Sequence, residues 1–536
     1  MTRFIAIPHN LLTSQQAMQH GLKRNLFISR WWVYLISFAV AIAVLAPLFV
    51  LIQLASGADG GLGARSLDVL WNTLALTALT VLSASILGSL LAVLTSSIQL
   101  PFRKLWLILL SAPLAVPSYI GAFTYFAASG PGGEFEGLFG FSLPSVRGLW
   151  GTALVMTLYT YPFVLLPVRA SLSRLDVSQF ESARLLGMSS SGAFRRVVFP
   201  RLAGGMAAGS LLVALYTLSD FATPAILGLN TFTRSIYVEY NAFGLDKAAM
   251  LSLQLMLLVV FVLFLETRVR QVKETPGQTF QWNMRPLSKF VLMGGMLTVV
   301  LASIGLPIAL FGHWLVDAEG IEIDLSMIAT SAYPAAIAAF LALLLGFPVA
   351  LAATWSRFGK LLERVASLGF GIPGIVLGTA FVYIGLQIDF LYQTMALFIL
   401  GYVLRFLPLA VGSLRVSLDR MGQNLGHAAR SLGAGPWEVF YRVQLPLLLP
   451  GMVSAWALVY LEAMRELPLA LLLRPTGVET LTTRLWQVYE AGYFGKAAVP
   501  ALLLMLISMI AVTLVYKNEM LVGGRSVKAE GNNRTA

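Results

Sequence analysis

The chain is dominated by long apolar runs that alternate with short polar segments. Twelve of these runs approach or exceed the ~20 residues that a helix needs to cross the hydrocarbon core of a bilayer. Because the bilayer offers no water to the backbone, a spanning segment must satisfy its own hydrogen bonds as a helix. The pattern predicts an all-α polytopic membrane protein with about 12 transmembrane helices. The predicted spans are 31–54, 69–96, 105–128, 149–168, 202–227, 248–265, 290–311, 328–354, 365–386, 391–412, 448–473 and 497–516.

Composition supports the same fold class. Hydrophobic residues make up 57% of the 536 residues and charged residues 12%, against roughly 25% charged residues in soluble domains. A net charge of +12 would suit a nucleic-acid partner in a soluble protein, but in a membrane protein the placement of charge matters more. We therefore expect membrane lipids around the chain and no nucleic-acid partner.

Lysine and arginine are concentrated in alternate loops. With the N-terminus inside, the inside segments hold 28 of these cations and the outside segments hold 7. Cytoplasmic loops of membrane proteins carry such an excess. The bias predicts that both termini are cytoplasmic, with 1–30 as an N-terminal segment and 517–536 as a tail.

The residue content argues against several kinds of site. The chain has no cysteine, which rules out disulfides and thiolate ligands, and only four histidines. No stretch matches the G-x-x-x-x-G-K-[ST] pattern that binds nucleotide phosphates. We therefore expect no metal site, no catalytic residue and no bound cofactor, and any ATP must be bound by a partner subunit.

A polar segment occurs twice at a constant spacing. Residues 179–200, QFESARLLGMSSSGAFRRVVFP, align with residues 425–446, LGHAARSLGAGPWEVFYRVQLP, at an offset of 246. Between 169–202 and 415–448, 13 of 34 positions are identical without a gap. A polar linker, 266–289, separates the halves 31–265 and 290–516, which have six predicted spans each. The halves are therefore predicted to be parallel six-helix repeats.

Both copies of the repeated segment lie in cytoplasmic loops between the fourth and fifth spans of their halves. In each copy an alanine-rich helical turn ends at Gly187 or Gly433, and glycine can take the left-handed conformation that redirects a chain. A second short helix, 191–199 or 436–445, is predicted before a proline begins the next span. Such a unit would fill a groove of a partner protein. An amphipathic linker in the lipid headgroup layer is the alternative, but matched glycine and proline spacing in both halves favours a partner.

The two segments resemble the EAA loop of ABC importer permeases, the membrane subunits of binding-protein-dependent uptake systems in the bacterial inner membrane. In the first loop the resemblance assigns signature positions to Glu181, Ala183, Gly187 and Pro200. In the second it assigns them to Ala429, Gly433 and Pro446, and His427 stands where the family usually has glutamate. The resemblance implies cytoplasmic coupling helices, a cytoplasmic ABC ATPase in two copies and a periplasmic substrate-binding protein.

Fused permease pairs of this length look most like ferric-iron permeases. The stretch ETLTTRLWQVYEAGYFGKAAVPALLLM at 479–505 carries this likeness, with a weaker echo at 231–253, TFTRSIYVEYNAFGLDKAAMLSL. Thiamine and phosphonate permeases are also built as fused pairs, so another small solute stays open as the cargo. The implied function is passage of substrate, ferric iron first, from the binding protein to the cytoplasm.

Charged residues inside two predicted spans are candidates for the translocation path. Asp220 and Glu466 are separated by the same 246 residues, and each is followed by a proline. A charge at the bilayer centre costs about 2.5–3.5 kcal/mol on insertion scales, so it should face a cavity or a partner. Glu462 lies one helical turn before Glu466, and Arg465 can neutralise one of them. These residues line the path of a cation, form an ion-pair network with Arg405 as a further partner, or do both, since a gate can itself be a breakable ion pair.

Two functions of other classes are also considered. An ion-coupled secondary transporter would use the buried acids as coupling sites, but it leaves the matched loops without a purpose. A membrane-embedded enzyme would use Glu462 and Glu466 as acid and base, but no nucleophile or metal constellation accompanies them. The sequence therefore favours ATP-driven import.

Overall fold

The computed structural model describes residues 30–57, 64–172, 177–268, 286–317, 325–421 and 424–510, and every secondary-structure element in these ranges is a helix. In the described ranges, nine helices are long and apolar enough to cross a membrane, and two bent helix pairs raise the number to 11. A shorter apolar helix, Phe494–Ile510, lies at the predicted twelfth span. The all-α polytopic fold is confirmed. Residues 1–29, most of the linker and the predicted tail lie outside the described part.

The helices of the first half follow the predicted order of spans. They are α1 (Arg30–Ala55), α2 (Ala64–Ser97), α3 (Arg103–Ser111), α4 (Ser118–Ala128), α5 (Glu134–Phe139), α6 (Gly148–Leu172), α7 (Val177–Leu185), α8 (Ser190–Ala193), α9 (Phe199–Ser219), α10 (Ala222–Ile226), α11 (Phe232–Asn241) and α12 (Leu245–Arg268).

The second half repeats this order. Its helices are α13 (Pro286–Val300), α14 (Leu306–Asp317), α15 (Leu325–Trp355), α16 (Arg357–Gly371), α17 (Gly374–Gln387), α18 (Met395–Met421), α19 (Asn424–Ser431), α20 (Pro436–Val439), α21 (Leu445–Met464), α22 (Pro468–Leu473), α23 (Leu481–Glu490) and α24 (Phe494–Ile510). A π turn, Leu301–Gly305, joins α13 to α14.

The third span of each half is broken at a proline. Val116 and Ile372, which precede Pro117 and Pro373, have extended backbones, as the ring of a following proline favours. As a result, α3 with its 3₁₀ turn Ala112–Ala115 meets α4 at 88°, and α16 meets α17 at 100°. The spans predicted at 105–128 and 365–386 are bent pairs rather than single helices.

The fifth span of each half also ends in a break. Helix α9 stops at Ser219, Asp220 has an extended backbone, and α10 begins at Ala222. Helix α21 stops at Met464, and α22 begins at Pro468. The predicted spans 202–227 and 448–473 are therefore each a long helix followed by a short one.

The first span of each half packs against the other half. Tyr34 of α1 donates a hydrogen bond to Ser356, at the start of α16, over 2.8 Å. In the reverse direction, Tyr125 and Tyr159 of the first half donate to carbonyl oxygens of the π turn Leu301–Gly305, at 2.9 and 2.8 Å. The two halves, whose limits stay a prediction, are thus interlocked, and their interface runs beside the broken spans.

Candidate coupling arms and translocation path

Each half carries a coupling arm, which we define as residues 177–200 in the first half and 424–446 in the second. In the first arm α7 ends in a Schellman motif, in which the Met188 amide donates to the Ala183 carbonyl (3.2 Å) and the Gly187 amide to the Arg184 carbonyl (3.0 Å). Gly187 has a φ of +86°, and a Cβ built there would meet no atom within 4 Å. This glycine is therefore required by its backbone conformation and not by lack of space.

The second arm has the same geometry. The Ala434 amide donates to the Ala429 carbonyl (3.1 Å), and the Gly433 amide donates to the Arg430 carbonyl (2.9 Å). Gly433 has a φ of +88° and the same open surroundings. The predicted glycine-terminated helix is confirmed in both halves.

Beyond the glycine, each arm continues into the fifth span without a break. A π turn, Phe194–Val198, joins α8 to α9, and another, Phe440–Gln444, joins α20 to α21. Residues 191–199 and 436–445 are helical as predicted, but the prediction that they form separate helices is wrong, because they are the beginning of the fifth spans. Pro200 and Pro446 follow directly in the first turns of α9 and α21. A wider π turn before a proline relieves the clash of its ring with a preceding carbonyl.

Both arms expose large apolar side chains. Leu185, Leu186 and Leu432 have exposed fractions of 88%, 82% and 89%. Trp437 and Tyr441 are also exposed, and their rings stack with centroids 6.0 Å apart. Large exposed apolar side chains at a polar end of a protein are typical of an interaction surface.

The signature residues of the arms differ in burial. Exposed positions are Glu181, Gly187, Pro200, Gly433 and Pro446, whereas Ala183 is buried and Ala429 half-buried. The backbone of His427 lies in α19, but its side chain lies outside the described part of the chain. The two alanines thus pack inward while the helix ends face outward.

Asp220 lies in the gap between α9 and α10, where hydroxyl groups surround it. The hydroxyls of Ser118 and Thr223 both donate to its Oδ2 atom, at 2.6 and 2.7 Å. The Thr223 amide donates to Oδ1 at 3.2 Å, so Asp220 also caps α10. Tyr216 donates in turn to the Ser118 hydroxyl at 3.0 Å. Within the described ranges, Asp220 forms no ion pair.

Glu466 lies in the equivalent gap of the second half, where an arginine faces it. The Arg405 Nε atom is 3.2 Å from Glu466 Oε2, and the two side chains are 12% and 9% exposed. Arg405 also donates to the Ile372 carbonyl at 2.6 Å. Gly374 makes room for the pair, because a Cβ there would lie 2.1 Å from Glu466 Oε1.

Glu462 and Arg465 form a second ion pair, in which the Arg465 Nε atom is 3.1 Å from a Glu462 carboxylate oxygen. Arg465 also donates to the Leu114 carbonyl at 2.8 Å, and Tyr119 donates to the Arg465 carbonyl at 3.3 Å. Leu114 and Tyr119 belong to the broken third span of the first half. The second ion pair therefore bridges the two halves.

The four predicted path residues are brought together at the interface between the halves. Ser118 and Tyr119, neighbours in α4, contact the Asp220 carboxylate and the Arg465 carbonyl respectively. Of the two arrangements left open by the sequence, the ion-pair network includes Glu462, Arg465 and Glu466 with Arg405, but not Asp220.

Sequence reasoning missed the hydroxyl groups around Asp220. Thr223 had a local signal, because it stands three residues after an aspartate, the spacing of a helix cap. Ser118 follows Pro117, the break in the third span. Its contact with Asp220 joins residues 102 apart, which no local pattern reveals.

Two short helices, α11 and α23, contact the predicted path residues Asp220 and Glu466. Each follows a fifth span and precedes a sixth, so each lies at the end of the membrane region opposite the coupling arms. Thr233 donates to the Asp220 carbonyl at 2.9 Å, and Thr482 donates to the Glu466 carbonyl at 3.4 Å. A movement of either helix would therefore act directly on the backbone of Asp220 or Glu466.

Aromatic rings fill the space between these two helices. The Phe221 ring lies 4.8 Å from Tyr237 and 5.0 Å from Trp486, measured between centroids. Tyr489 donates to the Ile226 carbonyl of the other half at 3.1 Å. Burial raises the pKa of the Tyr489 phenol, so it keeps the proton that it donates. This aromatic layer joins the halves on the side away from the arms.

One known protein family matches this chain twice. The sequence profile described as "Binding-protein-dependent transport system inner membrane component" matches residues 84–271 and 342–519. Each matched range contains one coupling arm and one gap with a path acid. The repeated match agrees with the repeated geometry.

Curated relatives extend over most of the chain. The "Fe(3+)-transport system permease protein FbpB 2" of Haemophilus influenzae is 30% identical over 471 residues, which cover 84% of this chain and 90% of the relative. The "Probable ABC transporter permease protein y4fN" of Sinorhizobium fredii is 27% identical over 557 residues, covering 92% and 97%. The "Putative 2-aminoethylphosphonate transport system permease protein PhnU" of Salmonella typhimurium is 27% identical over 228 residues, covering 38% and 79%. The chain therefore belongs to the binding-protein-dependent transport system inner membrane components, as a fused pair of ABC importer permease domains.

Proposed function

We propose that this chain is the membrane permease of an ATP-driven importer for ferric iron. A periplasmic binding protein delivers the cargo, and two copies of a cytoplasmic ATPase drive its passage. The single observation that carries the proposal is the pair of coupling arms, which present the same glycine-terminated helix and exposed leucine side chains in both halves. A site that occurs twice in one chain suits a partner that binds twice.

The family supports the energy source and the partners. Its members work with binding proteins, as the family description states, and this sequence lacks a phosphate-binding motif of its own. ATP is therefore bound and hydrolysed on the partner ATPase, and the permease itself is not an enzyme. The exposed leucines of the arms are the side chains that would enter a cleft of that ATPase.

Ferric iron is favoured as the cargo by the coverage of the relatives. The Fe(3+)-transport permease of Haemophilus influenzae matches 84% of this chain, whereas the 2-aminoethylphosphonate permease matches 38%. The path proposed for the cargo passes Asp220, Glu462, Arg465 and Glu466 at the interface between the halves. Carboxylate oxygens suit a hard cation such as Fe³⁺.

Reconstitution tests the proposed function. The chain would be placed in liposomes with its cognate ATPase and binding protein, and uptake of radioactive ferric iron would be followed with ATP and with ADP. We expect uptake that requires ATP, the ATPase and the binding protein. Uptake by the chain alone on a proton or sodium gradient would establish the secondary transporter instead. ATP-driven uptake of thiamine or 2-aminoethylphosphonate without iron would keep the permease role and overturn the cargo.

The proposed orientation places the chain in the bacterial inner membrane with both termini in the cytoplasm. The natural chain has no cysteine, so single cysteines report accessibility without background. We expect Phe243→Cys, at an exposed turn between α11 and α12, to react with a membrane-impermeant maleimide in intact spheroplasts. Ser526→Cys, in the predicted tail, should react only after lysis. The reverse pattern would overturn the orientation.

A further inference from the structure

The two halves carry different charges at equivalent positions around the path. At the 246-residue offset, Tyr216, Ser219 and Asp220 correspond to Glu462, Arg465 and Glu466. Tyr159 corresponds in the same way to Arg405. The second half therefore has two acids and two arginines where the first half has a single acid.

The charges of the second half neutralise one another. Arg405 pairs with Glu466, and Arg465 pairs with Glu462. Of the three predicted path acids, Asp220 alone forms no ion pair with an arginine or lysine among the described residues. A cation at this interface meets an attractive charge chiefly on the side of the first half.

Four side chains supply five oxygens to what we call the Asp220 oxygen cluster: the Asp220 carboxylate and the hydroxyls of Ser118, Thr223 and Tyr216. Ser118 Oγ and Thr223 Oγ1 lie 3.0 Å apart, and both reach Asp220 Oδ2. Ser118 and Thr223 are buried, whereas Asp220 and Tyr216 are partly exposed. Ser118 and Thr223 thus lie deeper in the protein than Asp220 and Tyr216.

We propose that the Asp220 oxygen cluster is a transit site for a hard metal cation, the class to which Fe³⁺ belongs. Hard cations prefer oxygen ligands, and the cluster offers only oxygen. The Thr223 amide and the two hydroxyls donate to the carboxylate, and a bound cation would itself stabilise the ionised form of Asp220. On entry of the cation, the hydroxyl hydrogens turn away from Asp220 and the oxygen lone pairs face the ion. This proposal rests on the proposed import function.

The composition of the cluster also explains why the cation can leave. The affinity of an oxygen site for a cation rises with the number of charged ligands, and this cluster has a single carboxylate. In the part of the chain that the structure describes, no three His, Cys, Asp or Glu side chains come together as a metal site. A site with one charge and three hydroxyls holds the ion weakly and passes it on.

Terbium luminescence tests the cluster directly. Tb³⁺ is a hard trivalent cation whose emission is sensitised by a nearby tyrosine, and Tyr216 belongs to the cluster. The full chain in phosphatidylcholine nanodiscs would be titrated with Tb³⁺ and then with Ga³⁺ as a redox-inert competitor. We expect saturable emission that Ga³⁺ displaces, and an affinity at least about tenfold lower in Asp220→Asn.

Matched variants distinguish Tb³⁺ binding at the cluster from binding at the protein surface. Asp317→Asn removes an exposed carboxylate at the end of α14 and should leave the titration unchanged. Tyr216→Phe removes one oxygen and the sensitising phenol, so we expect weaker emission and an affinity about threefold lower. This second variant decides the matter if Asp220→Asn does not fold. A Tb³⁺ affinity that is unchanged in Asp220→Asn or in folded Tyr216→Phe would overturn the proposal and leave Asp220 as a helix cap alone.

Transport by the complete importer distinguishes the two proposals. If the wild-type importer takes up iron and Asp220→Asn cuts uptake about tenfold while the binding protein still stimulates ATP hydrolysis, the cluster acts in transit. If the wild type takes up iron and Asp220→Asn does so equally well, the transit site is wrong and the import function stands. If the wild type transports no iron while Tb³⁺ still binds through Asp220, the cargo is wrong and the hard-cation site stands.

Discussion

The coupling arms are alike in the two halves, whereas the ends of the fifth spans are not. Both arms end a short helix in a Schellman motif, with φ of +86° at Gly187 and +88° at Gly433. In contrast, Asp220 is held by hydroxyls, and Glu466 is paired with Arg405. The geometry is repeated where each half would meet an equivalent partner, and it diverges where one cargo would pass between the halves.

The divergence preserves local packing. In the first half a short acid, Asp220, meets a serine that follows the proline of the broken third span. In the second half a longer acid, Glu466, meets Gly374 at the equivalent place, where a Cβ would leave it no space. The larger acid and the smaller neighbour compensate in volume, so the backbone breaks are kept while the charge environment changes.

The largest effect is expected from removing the charge of Glu466. Glu466→Gln leaves Arg405 buried without its counter-ion, and breaking a buried ion pair costs about 3–5 kcal/mol. Asp220→Asn breaks no ion pair, so the loss in unfolding free energy should be about 1 kcal/mol. Thermal and chemical unfolding of both variants in nanodiscs would measure the difference.

A double variant controls this comparison. Glu466→Gln with Arg405→Met removes both charges, and it should recover part of the stability that Glu466→Gln alone loses. Equal losses in Asp220→Asn and Glu466→Gln would contradict the distinction between the halves.

The next largest effect is expected from replacing the glycine that ends the short helix of each arm. Gly187→Val and Gly433→Val force a β-branched residue into a left-handed conformation, at a cost of about 1–3 kcal/mol each. We expect each variant to lower the ratio of iron uptake to ATP hydrolysis by a similar factor, and the double variant to lower it about tenfold or more. Purified importer in liposomes would provide both rates.

Gly294→Val is the matched control for the arms. Gly294 lies within α13 and also has open surroundings, but it does not have a positive φ. Normal coupling in the double arm variant would refute the docking role, and a loss confined to one arm would show that the two contacts are not equivalent.

A smaller effect is expected where the first span of one half meets the other half. Tyr34→Phe deletes the hydrogen bond to Ser356, and Tyr125→Phe deletes the reverse one to Ala302. Each should lower the unfolding free energy by about 0.5–1.5 kcal/mol. Tyr333→Phe, at an exposed ring of α15, serves as control. If neither variant differs from this control, these contacts do not stabilise the interlocked halves.

The smallest effect is expected from a charge pair that only the second arm has. Glu438 and Arg442 are 2.7 Å apart and exposed, and the equivalent residues of the first arm are Gly192 and Arg196. Glu438→Gln should change the unfolding free energy by less than about 0.5 kcal/mol and leave uptake unchanged. A loss of uptake as large as that of Gly433→Val would make this ion pair part of the coupling contact.

Much of the fold could be predicted because its signals are local. The length and composition of an apolar run are enough to indicate a membrane span. The predicted spans have helical counterparts in the described chain. The glycine that ends each arm is also a local signal, since the left-handed conformation at Gly187 and Gly433 depends on the residue itself. The predicted continuous helices failed at Pro117 and Pro373, where whether a proline kinks or breaks a span depends on what packs around it.

The sequence by itself determined the class of the protein, its two halves, the position of the arms and the equivalence of Asp220 with Glu466. These features follow from hydrophobic length, residue conformation and an internal repeat, which are all properties along the chain. The tertiary structure alone decided which acid is paired. Ser118 reaches Asp220 across 102 residues and Arg465 reaches Leu114 across 351. Such contacts depend on how distant helices pack, and the electrostatic environment of a buried charge is set by those neighbours.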